Sequence, residues 1–399
     1  MDETTFSDDG SLILNIPDSK GQLVRFGILY AALFGAVAVI YPFIPIYFSF
    51  RGYSPSRIGL LLAAIEVSGV LAPLLVSRIA DHSGRFRTVI SGSIILSALS
   101  LLLLNHLSAF PVMLVGAMIL GFFMKPVVSL TDALTGRSLA DSSKNYGRVR
   151  VWGTVSFIIV SLALQLTGLF ESGGAHRLYI AMLIAMFFQL LSIPVVPSAP
   201  VHKTIETGKS SESSIRLPKG FISFLLVCFI GNIGYSIYQS FGALYFTEIA
   251  GISWVSGLYA LAAFSEIPAM IFGGRIIRRI GHRRMLSIAL LAGILRLTVL
   301  SLFSSILPIA LSQLTHSLTY GFFLLTGVDW VNRLVPERKR ALGMGLFMSV
   351  SFSGSLLVGS SLGGFLLESG GFSMLFGSAV IFPFAALLWL WSDRRFKTE

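Results

Sequence analysis

The sequence predicts an all-α membrane protein, with twelve transmembrane helices in two pseudo-symmetric six-helix bundles. Three observations carry this. Of 399 residues, 54% are apolar and only 12% charged, where a soluble domain carries about 25% charge. Apolar runs of roughly 20 residues, the length that crosses a bilayer, recur along the whole chain. Charge is also segregated. Loops and tails on the side that holds both termini carry 25 of the 30 Lys and Arg residues, whereas the opposite loops carry three, Arg51, Arg57 and Arg177. Such asymmetry places the termini of a multi-pass protein in the cytoplasm. The net charge of +11 thus reports topology rather than a nucleic-acid partner.

Residues 1–24 are a polar cytoplasmic tail with Asp2, Glu3, Asp8 and Asp9. The tail lacks the basic start and cleavage site of a secretory signal, so the first span directs insertion. Spans at 25–49, 57–77, 88–106, 108–134, 148–170 and 177–196 form the first bundle, 25–196. Residues 197–219 are rich in Ser, with Pro near both ends, and read as a flexible cytoplasmic linker. Spans at 220–247, 253–275, 285–305, 307–332, 342–366 and 372–391 form the second bundle, 220–391, before a cytoplasmic tail at 392–399. Cys228 is the only cysteine and lies in an apolar run, which excludes disulfides and cysteine metal sites.

The two blocks repeat. The second span leads into SRIADHSGRFR, Ser77 to Arg87, and the eighth into GRIIRRIGHRR, Gly274 to Arg284, basic turns with Gly84 and Gly281 at their centres. The fourth span ends LTDALTGR, with Asp132, and the tenth LTGVDWVNR, with Asp329; Glu66 and Glu266 fall at similar depths of the second and eighth. Paired halves around a central binding site are a transporter plan.

Ionisable residues inside the spans point to that site. Glu266 lies about thirteen residues into the eighth span, Arg296 eleven into the ninth and His316 nine into the tenth, so all three fall near mid-depth. A charge at the bilayer centre costs about 2.5–3.5 kcal/mol on insertion scales, so the three need one another, water or a ligand. Burial favours the neutral acid and a guanidinium the carboxylate; a group balanced between them can exchange a proton as a cavity opens and closes. A static cluster that locks the helices is the alternative.

Lys125 stands two turns before Asp132, so both project from one face. Facing a cavity, Lys125 and Arg150 would suit a carboxylate solute; otherwise Lys125 neutralises Asp132 or Glu66. Arg148 points elsewhere and reads as a cytoplasmic-end arginine. Trp152 offers a ring for stacking on a sugar or aromatic solute, or for ordinary packing between helices. In the seventh span, Tyr235, Tyr238 and Gln239 share a face beside Asn232, as a binding wall or as interhelical hydrogen bonding. Asp81, Gly84 and Arg85 in the first basic turn, with Asp329, Asn332 and Arg333 in the second half, suit salt bridges that form and break as the shape changes. Gly354, Gly359, Gly363 and Gly364 allow close helix contact in the eleventh span.

The D-x-x-G-R turn at Asp81, Gly84 and Arg85, with six plus six spans and a basic linker, resembles the major facilitator superfamily and its fold. Ser77 stands where that pattern usually has Gly, and Arg278 where the second copy would have its acid. The stretch Leu130 to Phe157, LTDALTGR…NYGRVRVWGTVSF, resembles the phenylpropionate permease and lactose permease-like branch. That resemblance implies that Asp132 and Arg150 hold the solute, and that Glu266, Arg296 and His316 couple it to a proton. It also implies a monomer in a bacterial inner membrane. Thr319 stands where the lactose permease-like branch carries a second acid: either Glu266 takes that role, which is the reading favoured, or coupling lies elsewhere, or the protein is a facilitator.

No G-x-x-x-x-G-K-[ST] run, H-E-x-x-H motif or cysteine cluster is present, so neither ATP hydrolysis nor metal chemistry is expected. The chain reads as no enzyme, needs no cofactor and binds no metal. Its expected partners are the lipid bilayer, a small solute and H+. The reading is a proton symporter that imports an aromatic acid, sugar or nucleoside by alternating access. Its rivals are a proton-coupled exporter of amphipathic compounds and a membrane sensor that binds a solute without moving it.

Overall fold

Apolar chain in a bilayer has no water to bond its backbone, so it must close its hydrogen bonds internally, as helices do. The structure, a computed structural model, describes residues 4–6, 12–14, 20–139, 142–170, 174–197, 218–336 and 339–396. Most of the linker expected at 197–219 lies outside them, as do 397–399. A short antiparallel pairing joins Thr4–Phe6 to Leu12–Leu14 in the N-terminal tail.

The first half consists of α1 (Lys20–Phe50), α2 (Pro55–Ser83), α3 (Phe86–Leu104), α4 (Phe110–Ser138), α5 (Ser142–Thr167) and α6 (Ala175–Leu191). The second half opens with α7 (Lys219–Ala250), α8 (Ile252–Ile280) and α9 (His282–Leu302). In both basic turns the preceding helix ends on a glycine of positive φ, Gly84 at φ 65° and Gly281 at φ 86°, where a Cβ would be strained. Several helices overrun the predicted limits at these ends: α2 runs on to Ser83 and α8 to Ile280, carrying Arg78 and Arg278.

Among the described residues, ten helices are long and apolar enough to cross a membrane. The last third departs from plain helix. The predicted tenth span is met by α10 (Ile306–Gln313), a π turn (Ser317–Phe322) and α11 (Phe323–Leu334), so it is not one continuous α-helix. The predicted eleventh and twelfth spans fall on one 51-residue stretch, Leu342–Ser392. It contains α12 (Arg340–Met348) from Leu342 onward, a second π turn (Ser349–Gly354), α13 (Ser355–Ala379) and α14 (Ile381–Ser392). The chain breaks inside α13 at Gly370 and Gly371, the latter at φ 69°.

The halves pack alike. α1 lies against α5 and α6, and α7 against α13 and α14; α2 lies against α4, and α8 against the first π turn. Between the halves, α2 meets α13 and α5 meets α8. The α2–α13 crossing is close: a Cβ on Gly59 would stand 2.3 Å from the Ser360 carbonyl oxygen, and one on Gly364 2.5 Å from that of Pro55. Nearby, Glu368 accepts from the Ser56 amide at 2.9 Å, and Gln165 on α5 accepts from the Gly257 amide on α8 at 2.9 Å. All these contacts lie at the end that the charge pattern assigns to the outside, where the halves are closed on each other.

Candidate functional site

Arg296 anchors the polar centre of the second half. It is 1% exposed, a position that requires its charge to be bonded on several sides. It donates to Nδ1 of His316 at 3.2 Å, to Thr319 Oγ1 at 3.3 Å and to the Gln313 side chain, and stands 3.8 Å above the Tyr238 ring centroid. Tyr238 in turn donates to Gln313 at 2.8 Å. On its other edge, His316 Nε2 lies 2.7 Å from Glu266 Oε1, the two side chains 15% and 19% exposed. Glu266, Arg296 and His316, from three consecutive crossings, thus form one connected group.

The tautomer follows from donor counting. A guanidinium donates and never accepts, so Nδ1 of His316 is the acceptor from Arg296. A neutral ring then carries its hydrogen on Nε2 and donates it to Glu266. The π turn after His316 carries Thr319, which accepts from Arg296, and Tyr320. Tyr320 stacks on His316 at 5.5 Å and on Tyr235 at 6.0 Å. Such turns recur at functional sites because they break helical spacing. A small cavity of about 20 Å³ adjoins Arg296, lined among others by Asn232, Tyr235, Tyr238 and Thr319.

The first half holds its own polar group. Asp132 and Arg150 are not in direct ion-pair contact among the described residues. Asp132 Oδ1 accepts from the Tyr30 hydroxyl at 2.6 Å, and Arg150 lies against rings, 3.8 Å from the Phe34 centroid and 5.6 Å from that of Tyr30. Tyr30 therefore stands between the acid and the guanidinium. Lys125 pairs with Glu66 rather than with Asp132. The Tyr320 phenol lies within electrostatic reach of Glu266 in its own half and of Arg150, Asp132 and Tyr41 in the other.

Other expected site residues fall elsewhere. Trp152 is 54% exposed, on the outward apolar face of α5 that also carries Ile159, Leu162 and Leu166; the period of 3.6 puts it there and away from the cavity. On α7, Gln239 is exposed while Tyr238 is buried. Asn232 bonds the Ser351 carbonyl at 2.6 Å and the Ser355 hydroxyl at 3.0 Å, a link between helices. In the basic turns, Asp81 pairs with Arg137 at 2.7 Å rather than with Arg85. Gly84 caps α2, and Asp329 meets His282 at 2.6 Å and Arg333 at 3.9 Å. The sequence reading missed Tyr30, Tyr41, Gln313 and Tyr320. Gln313 and Tyr320 lie three residues before and four after His316, a spacing that was readable; Tyr30 and Tyr41 have partners more than fifty residues away.

Comparison with known proteins fits this arrangement. A family described as MFS_1 like family matches residues 23–377. The probable 3-phenylpropionic acid transporter of Escherichia coli is 25% identical over 366 residues, covering 88% of this chain and 93% of that protein. The maltose permease of Geobacillus stearothermophilus is 22% identical over 345 residues, covering 86% and 87%. Among solved structures, a mutant of the nucleoside transporter NupG superposes with a TM-score of 0.80 at 18% identity, covering 93% of this chain and 98% of that one.

Proposed function

The chain belongs to the MFS_1 like family and is a multi-pass membrane transporter, and from that premise we propose that it is a proton symporter importing a small organic solute by alternating access. The observation that carries the reading is the Glu266–His316–Arg296 chain. Arg296 occupies Nδ1 of His316, so in this arrangement the ring holds no second proton, and Glu266 is the open acid. A proton on Glu266 weakens its claim on His316; a proton on His316 requires Arg296 to let go of Nδ1. Protonation and helix contact are thus linked at one seam, the coupling that a rocking pair of halves needs.

The polar solute groups would meet Asp132, Arg150 and Lys125 from the first half and Tyr235 and Tyr320 from the second. A probable 3-phenylpropionic acid transporter and a nucleoside permease among the relatives support a small organic solute. The test is uptake into proteoliposomes under an imposed inward proton gradient, with labelled 3-phenylpropionate, a disaccharide and a nucleoside, each repeated with the gradient collapsed. Uptake of one solute that vanishes on collapse is the expected result. No gradient-driven uptake of any, with lowered drug sensitivity in expressing cells, would replace the reading by export.

A further inference from the structure

Glu66 and Lys125 have no part in the proton path above. Yet they form the most enclosed ion pair in the first half among the described residues, the Lys125 and Glu66 side chains 14% and 5% exposed. α2 and α4 are drawn together at this point. A Cβ on Gly121 would stand 2.4 Å from the Ile65 carbonyl oxygen, and one on Gly69 3.3 Å from Glu66 and 3.4 Å from Lys125. The backbone crossing itself therefore sets the contact of acid and amine. Both sit near mid-helix, Glu66 the twelfth of 29 residues in α2 and Lys125 the sixteenth of 29 in α4. Lys125 also lies 4.9 Å from the Tyr41 ring centroid, and Tyr41 is within electrostatic reach of Tyr320 across the seam.

The place of the pair in the fold adds to this. The packing of α2 on α4 corresponds to that of α8 on the tenth crossing, where Glu266 meets His316. Each half thus sets one carboxylate against one nitrogen base in the same pair of crossings. Stability does not account for it, since a buried ion pair is often no better than apolar residues of the same volume.

We propose that Glu66 and Lys125 form an anion site and a second coupling pair: a carboxylate group of the solute displaces Glu66 from Lys125, and the released Glu66 takes up one proton. This rests on the symport reading and adds the solute class, a monocarboxylate, and a second acid. The balance closes. The solute brings one negative charge and Glu66 gains H+ from water on the open side, while Lys125 stays cationic. On the other side the solute leaves, Glu66 returns the proton to water, and the pair re-forms. A carboxylate without a counter-charge at this depth is costly, which drives the uptake. Among the described residues, the charged or titratable groups that face the pair are their own two and Tyr41 from α1. The second π turn, packed on α2, carries none.

The test titrates the purified full-length protein with 3-phenylpropionate, benzoate and hexanoate, each beside its neutral amide. Binding heat and proton uptake are read across mildly acid to mildly alkaline pH. The wild type is expected to prefer at least one acid over its amide, to take up one proton per bound anion, and to lose about tenfold in affinity per pH unit on the alkaline side. Glu66→Gln should bind the anion with no pH slope and no proton uptake, and Lys125→Met should lose the preference for acid over amide. Three results would overturn the proposal: no acid preferred over its amide, no proton taken up by the wild type, or proton uptake kept in Glu66→Gln and lost in Glu266→Gln. The wild-type proton count decides whether or not the variants fold. Gradient-driven uptake that persists alongside any of these results leaves the symport reading standing, so the two fail separately.

Discussion

His316 Nε2 lies 2.7 Å from Oε1 of Glu266, so a single hydrogen is held between α8 and the tenth crossing. Glu266→Gln keeps an acceptor for that hydrogen but cannot carry a proton. It is expected to abolish accumulation of solute against its gradient in proteoliposomes and to leave solute–solute exchange. Uphill uptake at the wild-type level would sink the assignment.

Arg296→Lys keeps the charge and loses the fork. One ammonium cannot serve His316, Thr319 and Gln313 together, and Gln313 is fully buried. An unsatisfied buried polar group costs about 1–3 kcal/mol. The variant should melt several degrees lower in detergent; an unchanged melting temperature would mean that the contacts add no stability.

Gly364→Val places a side chain against the Pro55 carbonyl, where 2.5 Å is available even to a Cβ. Backbone cannot yield there as a flexible side chain would, so the halves should stand apart at the outer end. The native thiol, Cys228, is buried, which leaves a cysteine introduced at Ser56 as the reporter. Its labelling by a membrane-impermeant maleimide should rise about tenfold, a shift of about 1.4 kcal/mol in closure. Equal labelling in both backgrounds would place the closing contact elsewhere.

Trp152→Ala tests the outward position of that ring. Transport rate and solute preference should both stay unchanged. A changed preference among the panel solutes would return Trp152 to the binding site.

Asp393, beyond the end of α14, accepts from Arg395 at 2.9 Å and also from Ser223 at the start of α7. Arg395 foremost, then Ser223, holds its carboxyl down to about 2. The unfolded value is about 3.9, so the stabilisation is present above that pH and is lost as pH falls towards 2. Asp393→Asn should therefore melt lower than the wild type at neutral pH, with the gap narrowing below about pH 4. A gap that stays constant through this window would assign the effect to shape rather than charge.

Helix placement in the first nine crossings was legible because apolar length and basic turns are local properties of the chain. Glu266, Arg296 and His316 were legible for a related reason: each is expensive where it stands, and equal depth in adjacent crossings leaves them few partners. Facing was harder to read. Trp152 and Arg150 lie two residues apart, and only the packed α1 decides that Arg150 turns to Phe34 and Tyr30 while Trp152 turns out. The choice of Glu66 over Asp132 as partner for Lys125 was equally hidden, since it is fixed by the Gly121–Ile65 backbone contact between two helices.

The π turns at Ser317–Phe322 and Ser349–Gly354 bear on how this chain tolerates changes of length. Each widened turn accommodates one residue more than α-helix needs, so it stores one removable position. Loss of a residue within 317–322 lets the turn regularise with both flanks still in phase, so His316 keeps Glu266 and Asp329 keeps His282. Loss of a residue between His282 and Arg296 in α9, a plain α-helix, has no such outlet. It would rotate those two side chains by about 100° against each other, and Arg296 would leave His316 or His282 would leave Asp329. The crossing richest in polar contacts is thus the more forgiving of deletion, and its straight neighbour the more brittle.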